Sequence, residues 1–125
     1  MSTYPIPDHS ALAKMLMNLF KKWDVRNDNQ FDLLGLPRCN RSALTRYRLM
    51  RSIASTRDTL ERAGHLLAIH KSLRMLFPRN RNLAYRWMNT RNKAFNNRSP
   101  VQAIGDMGFA GLLMVRSYLD RMTEQ

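Results

Sequence analysis

One stretch constrains the fold of this chain more than any other. Leu60, Ala63, Leu66, Leu67, Ile69, Leu73, Leu76 and Phe77 recur at the three- and four-residue spacing of a helix face. "STRD" (Ser55 to Asp58) precedes them, a hydroxyl with a carboxylate three residues on, which is the pattern of a capping box. Pro78 comes next and cannot continue a helix. The pattern predicts one long helix over Thr56–Phe77. No alternation of Val, Ile and Thr stands out elsewhere. Leu, Met, Ala and Arg dominate, and their side chains lose little freedom in a helix. The expected fold class is all-α, a helical bundle.

The flanking segments fit that reading. Ser10 to Trp23 places Leu12, Met15, Leu16, Leu19, Phe20 and Trp23 on one face and Lys14, Asn18, Lys21 and Lys22 on the other. Asp8 or Ser10 is positioned to cap it. A short second helix, about Asn27 to Leu34, carries Phe31, Leu33 and Leu34, and Gly35 then Pro37 end it. Arg38 to Arg51 holds five arginines and no acid, with Asn40 or Ser42 as the cap of a third helix. Two short helices, a Gly-containing turn and a polar third helix form a helix-turn-helix-like pattern. Later, a helix near Asn82–Asn89 (with Leu83, Trp87 and Met88 as its apolar residues) gives way to an Asn-rich loop. Ser99-Pro100 restarts a helix, because proline's missing N–H costs nothing in a first turn. A last helix spans about Phe109 to Met122, with Leu112, Val115, Leu119 and Met122 on one side.

Charge narrows the partners. The 125 residues carry a net charge of +12. Residues 1–25 hold three basic and two acidic side chains, 26–98 sixteen and four, and 99–125 two and three. A positive field concentrated mid-chain suggests an anionic partner, above all nucleic acid; a merely solvated basic surface is the bland alternative. If Arg38–Arg51 is a recognition helix, Asn40, Arg41, Ser42 and Thr45 reach base edges or phosphates, Arg46, Arg48 and Arg51 grip the backbone, and Arg38 belongs to the same DNA-binding set. Otherwise it is a charged, solvated helix of structural role.

Other chemistry finds little support. Cys39 is the sole cysteine, so no internal disulfide or cysteine-based metal site forms, which fits a reducing cytoplasm. His65 and His70 are five apart, the wrong spacing for a two-histidine metal pair. Glu61 and His65 lack an evident third ligand. No nucleophile elbow is visible. The reading is a protein without catalytic residues, metal or cofactor. "MSTYPIPDHSALAK" lacks the basic and apolar regions of a secretory signal. The longest apolar run, Gly108 to Val115, falls well short of the ~20 residues that span a bilayer. The expectation is a cytoplasmic protein with no membrane contact.

The second half is recognisable. "LLAIHKSLRMLFP", "AYRWMNTRNKAF", "RSPVQAI" and "VRSYLDRM" stand in order between Leu66 and Met122, within a resemblance that covers residues 58–122. This resembles the toxin-binding domain of the Xre/MbcA/ParS antitoxin family; upstream, "LFKKWDVRNDNQFDLLGLPRCNRSALTRYR" resembles more weakly that family's variable helix-turn-helix region. The family often has a Gly pair where Asn96-Asn97 stand here. Asn is the non-Gly residue that best tolerates a left-handed backbone, so the turn is expected to survive. The resemblance implies two parts: a helix-turn-helix-like (Xre-type) DNA-binding region at 1–54 and a toxin-binding domain at 55–125. It also implies a role: silencing a RES-domain toxin that consumes NAD⁺, with the complex binding its own operator DNA.

Site expectations rest on the same residues. Trp87 is either a binding hot spot or, the favoured reading, core; Phe95 pins the loop to the body. Arg98 faces a partner or solvent. The last helix has more apolar residues (Leu112, Leu113, Val115, Tyr118, Leu119, Met122) than one core stripe needs, so some of them meet a toxin, a second copy or the core. The expected toxin-binding set is Arg98, Arg116, Tyr118, Leu119, Arg121, Met122, Glu124 and Gln125. Arg121 to Gln125 are expected to enter the toxin's NAD⁺ pocket, with Glu124 and the terminal carboxylate in place of substrate phosphates. A homodimer is expected because operator readers commonly work as two-fold pairs. The alternative function is a stand-alone basic DNA- or RNA-binding regulator without a toxin partner.

Overall fold

The structure is a computed structural model, and it describes residues 9–36 and 57–124. Among the described residues six α-helices run in order: α1 (His9–Lys22), α2 (Asn27–Leu34), α3 (Arg57–Leu76), α4 (Arg81–Arg86), α5 (Pro100–Met107) and α6 (Phe109–Thr123). Two 3₁₀ turns, Trp87–Asn89 and Lys93–Phe95, stand between α4 and α5. The fold is all-α. No helix among the described residues is long and apolar enough to cross a membrane. The expected helix over Arg38–Arg51 lies outside the described residues.

Helix ends obey local chemistry. Gly35 closes α2 at φ 70°, its N–H donating to Asp32 O while Leu36 N–H donates to Phe31 O. These are the two bonds of a Schellman motif, and the left-handed residue between them favours glycine. Ser99 caps α5 by accepting from Gln102 N–H at 3.1 Å, and the Gln102 side chain accepts from Ser99 N–H at 3.0 Å. Pro100 takes the first helical position, as read from the sequence.

The helices bury one continuous core. Leu16 and Phe20 of α1, Trp23 just after it, and Leu33 and Leu34 of α2 meet Leu66, Ile69 and Leu73 of α3, Met88, Ile104 of α5 and Leu112 of α6. The most extensive packing is α3 on α6, and next to it α5 on α6. Gly111 makes the α5–α6 approach possible, since a Cβ there would lie 2.6 Å from Ala103 O and 3.0 Å from Ile104 Cα. Arg62 ties a third junction. Its side chain, only 12% exposed, pairs with Asp58 at 3.1 Å, stacks over the Phe109 ring at 5.3 Å and fills the space where Gly35 would carry a Cβ.

The inward faces differ from expectation at several places. Met15 is 52% exposed, because the α1 stripe centres on Ala13, Leu16 and Phe20 and leaves Met15 on its flank. Leu83 is also exposed, and Ala84 with Met88 faces inward instead. Four apart, these two place the buried stripe one residue later than Leu83. Thr59 and Ser72, polar residues absent from the expected stripe, are buried on α3.

Candidate functional site

The segment between α4 and α5 is a tightly tied loop. Asn80 opens α4 by accepting from Leu83 N–H at 3.1 Å, and Thr90 Oγ1 donates to Arg86 O at 2.8 Å. Asn92 organises the turn over Lys93–Arg98. Its side chain accepts from Ala94 N–H, its carbonyl accepts from Phe95 and Asn97 N–H, and its own N–H donates to Arg98 O. Asn96 and Asn97 adopt φ of 57° and 62°, both left-handed. Asparagine takes this conformation at lower cost than other non-glycine residues, so the turn expected for a Gly pair is kept.

The loop places an aromatic cluster against α6. Phe95 is 4% exposed and sits edge-on to Tyr118 at 5.3 Å and to Trp87 at 6.2 Å; Trp87 stacks on Tyr118 at 6.1 Å. Offset and edge-to-face pairs of this kind each add about 0.5–1.5 kcal/mol beyond area burial. Trp87 is half-buried against the core, and Phe95 does pin the loop.

The opposite flank of α6 is held by polar groups. Arg116 Nη1 donates to His65 Nδ1 at 2.7 Å, and Arg116 Nε lies 3.7 Å from Asp120. Guanidinium can only donate, so Nδ1 must be the accepting nitrogen and His65 is neutral. Burial and then the Arg116 charge lower the His65 pKa, against the opposing pull of Glu61 and Asp120. His65 also meets the Phe109 ring edge-on at 5.5 Å. Between these flanks, α6 turns Leu112, Val115 and Leu119 inward and leaves Leu113 (40%) and Met122 (46%) exposed. It is a helix with a mixed apolar and charged outer face. Among the described residues, no three His, Cys, Asp or Glu side chains converge as a metal site.

Residues 72–124 match the family model of the antitoxin Xre/MbcA/ParS C-terminal toxin-binding domain. Over 119 residues the chain is also 31% identical to an uncharacterized protein, y4oB, of Sinorhizobium fredii (strain NBRC 101917 / NGR234). That match covers 93% of this chain and 89% of the relative. The chain belongs to the Xre/MbcA/ParS antitoxin family. The toxin-binding domain it carries supports an antitoxin role, with a toxin as its partner.

The antitoxin distributes the expected toxin-binding residues unevenly. Arg121, Met122 and Glu124 are exposed at the end of α6. Arg98 pairs with Asp106 at 2.8 Å, half exposed, and Arg116 is held by His65. Tyr118 belongs to the aromatic cluster and is partly buried. Leu119 is 1% exposed and supports the surface from beneath. Gln125 lies outside the described residues, as do Arg38, Asn40, Arg41, Ser42, Thr45, Arg46, Arg48 and Arg51. Sequence reasoning did not anticipate the Arg116–His65 contact. Its partners are 51 positions apart, and neither residue type signals the other.

Proposed function

We propose that this antitoxin neutralises a RES-domain, NAD⁺-degrading toxin and represses its own operon. The observation that carries the toxin half is the end of α6. Arg121, Met122 and Glu124 stand exposed on a helix fixed by core packing and by the Phe95–Trp87–Tyr118 cluster. A pre-ordered anchor lowers the entropic cost of binding. The tail from Arg121 to Gln125 occupies the toxin's NAD⁺ pocket, with its carboxylates where substrate phosphates bind. Exposed Leu113 and the Arg98 and Arg116 region flank the contact.

Tasks divide along the chain. Residues 1–54 read operator DNA through Arg38–Arg51, and residues 55–125 bind toxin. Two copies act together on a two-fold operator. The net charge of +12 supports the nucleic-acid arm. The same charge favours a second reading, a stand-alone basic nucleic-acid regulator.

Co-expression with a RES-domain toxin, then co-purification and an NAD⁺ consumption assay, separates the two. A complex with suppressed NAD⁺ loss is expected for the full chain, and restored NAD⁺ loss for a chain ending at Asp120. Full silencing by the shortened chain overturns the tail assignment. Failure of the full chain to bind or silence the toxin favours the stand-alone regulator.

A further inference from the structure

Away from α6, three cations from three separate segments meet in one groove. Lys22 ends α1, Arg26 precedes α2 and Arg86 ends α4, and all line an open groove of about 580 Å³. One carboxylate, Asp24, lies among them. Arg57, Arg62, Arg98 and Arg116 each have a carboxylate within ion-pair distance, whereas no ion pair among the described residues engages Lys22, Arg26 or Arg86. Three unneutralised charges in one concavity are a local excess.

The groove is built rather than incidental. Lys22 Nζ is held 5.8 Å above the Tyr85 ring, and that ring is itself fixed by stacking on His70 at 6.4 Å and by Arg74 donating to its hydroxyl. Asn89 donates to the Trp23 carbonyl, which fastens the α4 side of the groove to the α1 side across 66 positions of sequence. Trp23 forms part of the wall, and its buried indole N–H meets no acceptor among the described residues.

We infer that this groove binds nucleic-acid phosphate, as a second backbone contact separate from Arg38–Arg51. An open, polar, three-cation groove matches a phosphodiester and its flanking sugar. Phosphate contacts of this type fix position and supply affinity without sequence preference. The inference rests on the DNA arm of the proposed function and adds a site to it.

The test uses the full chain and fluorescence anisotropy on two duplexes of unrelated sequence across a salt series. The groove variant is Lys22→Gln/Arg26→Gln/Arg86→Gln; all three side chains are exposed, so the fold is retained. A control removes three exposed charges elsewhere, Lys14→Gln/Arg57→Gln/Lys71→Gln. A third variant, Arg46→Gln/Arg48→Gln, reports on the recognition segment. Each phosphate that is no longer neutralised flattens the slope of log K against log salt by about 0.9. The groove variant is expected to lose about 0.9 of slope, the share of one phosphate, and about tenfold in affinity on both duplexes, with the control changed less than threefold. Equal effects of groove and control variants, or an unaltered groove variant, overturn the inference. If Arg46→Gln/Arg48→Gln alone weakens binding, the operator reading stands and the groove does not. If the groove variant alone does, the groove stands and the recognition segment does not. Absence of DNA binding by the wild-type chain overturns both. Calorimetric titration with inorganic phosphate identifies the remaining source: uptake lost in the groove variant, with its DNA slope unchanged, marks a free-phosphate site and overturns the nucleic-acid assignment.

Discussion

Gly111 shows how much a single missing carbon decides. The α5 backbone lies so close that Gly111→Ala places a methyl 2.6 Å from Ala103 O, and backbone cannot move aside as a side-chain tip can. Gly111→Ala is expected to cost about 1–3 kcal/mol, the usual range for overpacking. Urea denaturation reads it as a lower midpoint with an unchanged m-value. Asn97 offers the opposite case. Its φ of 62° suits glycine at least as well, so Asn97→Gly is expected to be close to neutral, whereas Asn97→Ala costs about 1 kcal/mol. Equal melting temperatures for the two variants would show that the left-handed turn carries no strain. That turn was legible in the sequence, because Asn-Asn before Arg-Ser-Pro is a local signal. Gly111 was not, because its constraint comes from a helix crossing. Nor was Arg62, whose partners Gly35 and Phe109 are distant in the chain.

At the scale of elements, α3 and α6 are joined by apolar packing and by histidine chemistry. His65 and His70, both on α3, have pKa values lowered from the ordinary 6.5, chiefly by burial. The unfolded chain therefore takes up protons more readily than the folded one just below that pH. Their contribution to stability is present above pH 6.5 and is lost as pH falls through the lower folded values. Melting temperature is expected to decline as pH drops from about 7.5 to about 5. His65→Asn, which keeps an acceptor near the Nδ1 position without a titrating ring, should flatten part of that decline. An identical pH profile for the variant would remove His65 from the account. The aromatic cluster predicts a larger effect: Phe95→Ala costs about 3–5 kcal/mol through lost burial and cavity formation, measured by thermal unfolding.

Helix positions were the most legible part of the sequence. α2, with its Gly35 stop, and α5, with its Ser-Pro start, depend on residues within a turn of one another. Facing was less legible. α6 carries apolar residues around much of its circumference, and only packing on α3 and α5 distinguishes buried Leu112 from exposed Leu113. The composition of the candidate surface was readable for the same reason and to the same degree: exposed Arg121, Met122 and Glu124 lie at a helix end, while Leu119 turns inward just before them.

For the whole molecule, the consequential fact is that α1 and α2 lie N-terminal to residue 55 yet fill the same core as α3, α5 and α6. A division of tasks near residue 55 is therefore not a division of the interior. A piece comprising residues 55–125 lacks Leu16, Phe20, Trp23, Leu33 and Leu34, which share that core with Ile69 and Ile104. It is expected to melt well below the full chain or to aggregate. A piece that unfolds as cooperatively and at the same temperature as the full chain would show two independent cores. A shared interior also has a consequence in mass action. A partner seated on α6 at about a hundred times its dissociation constant adds about 2.7 kcal/mol against global unfolding, and that protection extends to helices it never touches. Any process that acts through the unfolded chain then removes unoccupied copies first, so occupancy at one end of the molecule becomes persistence of the whole.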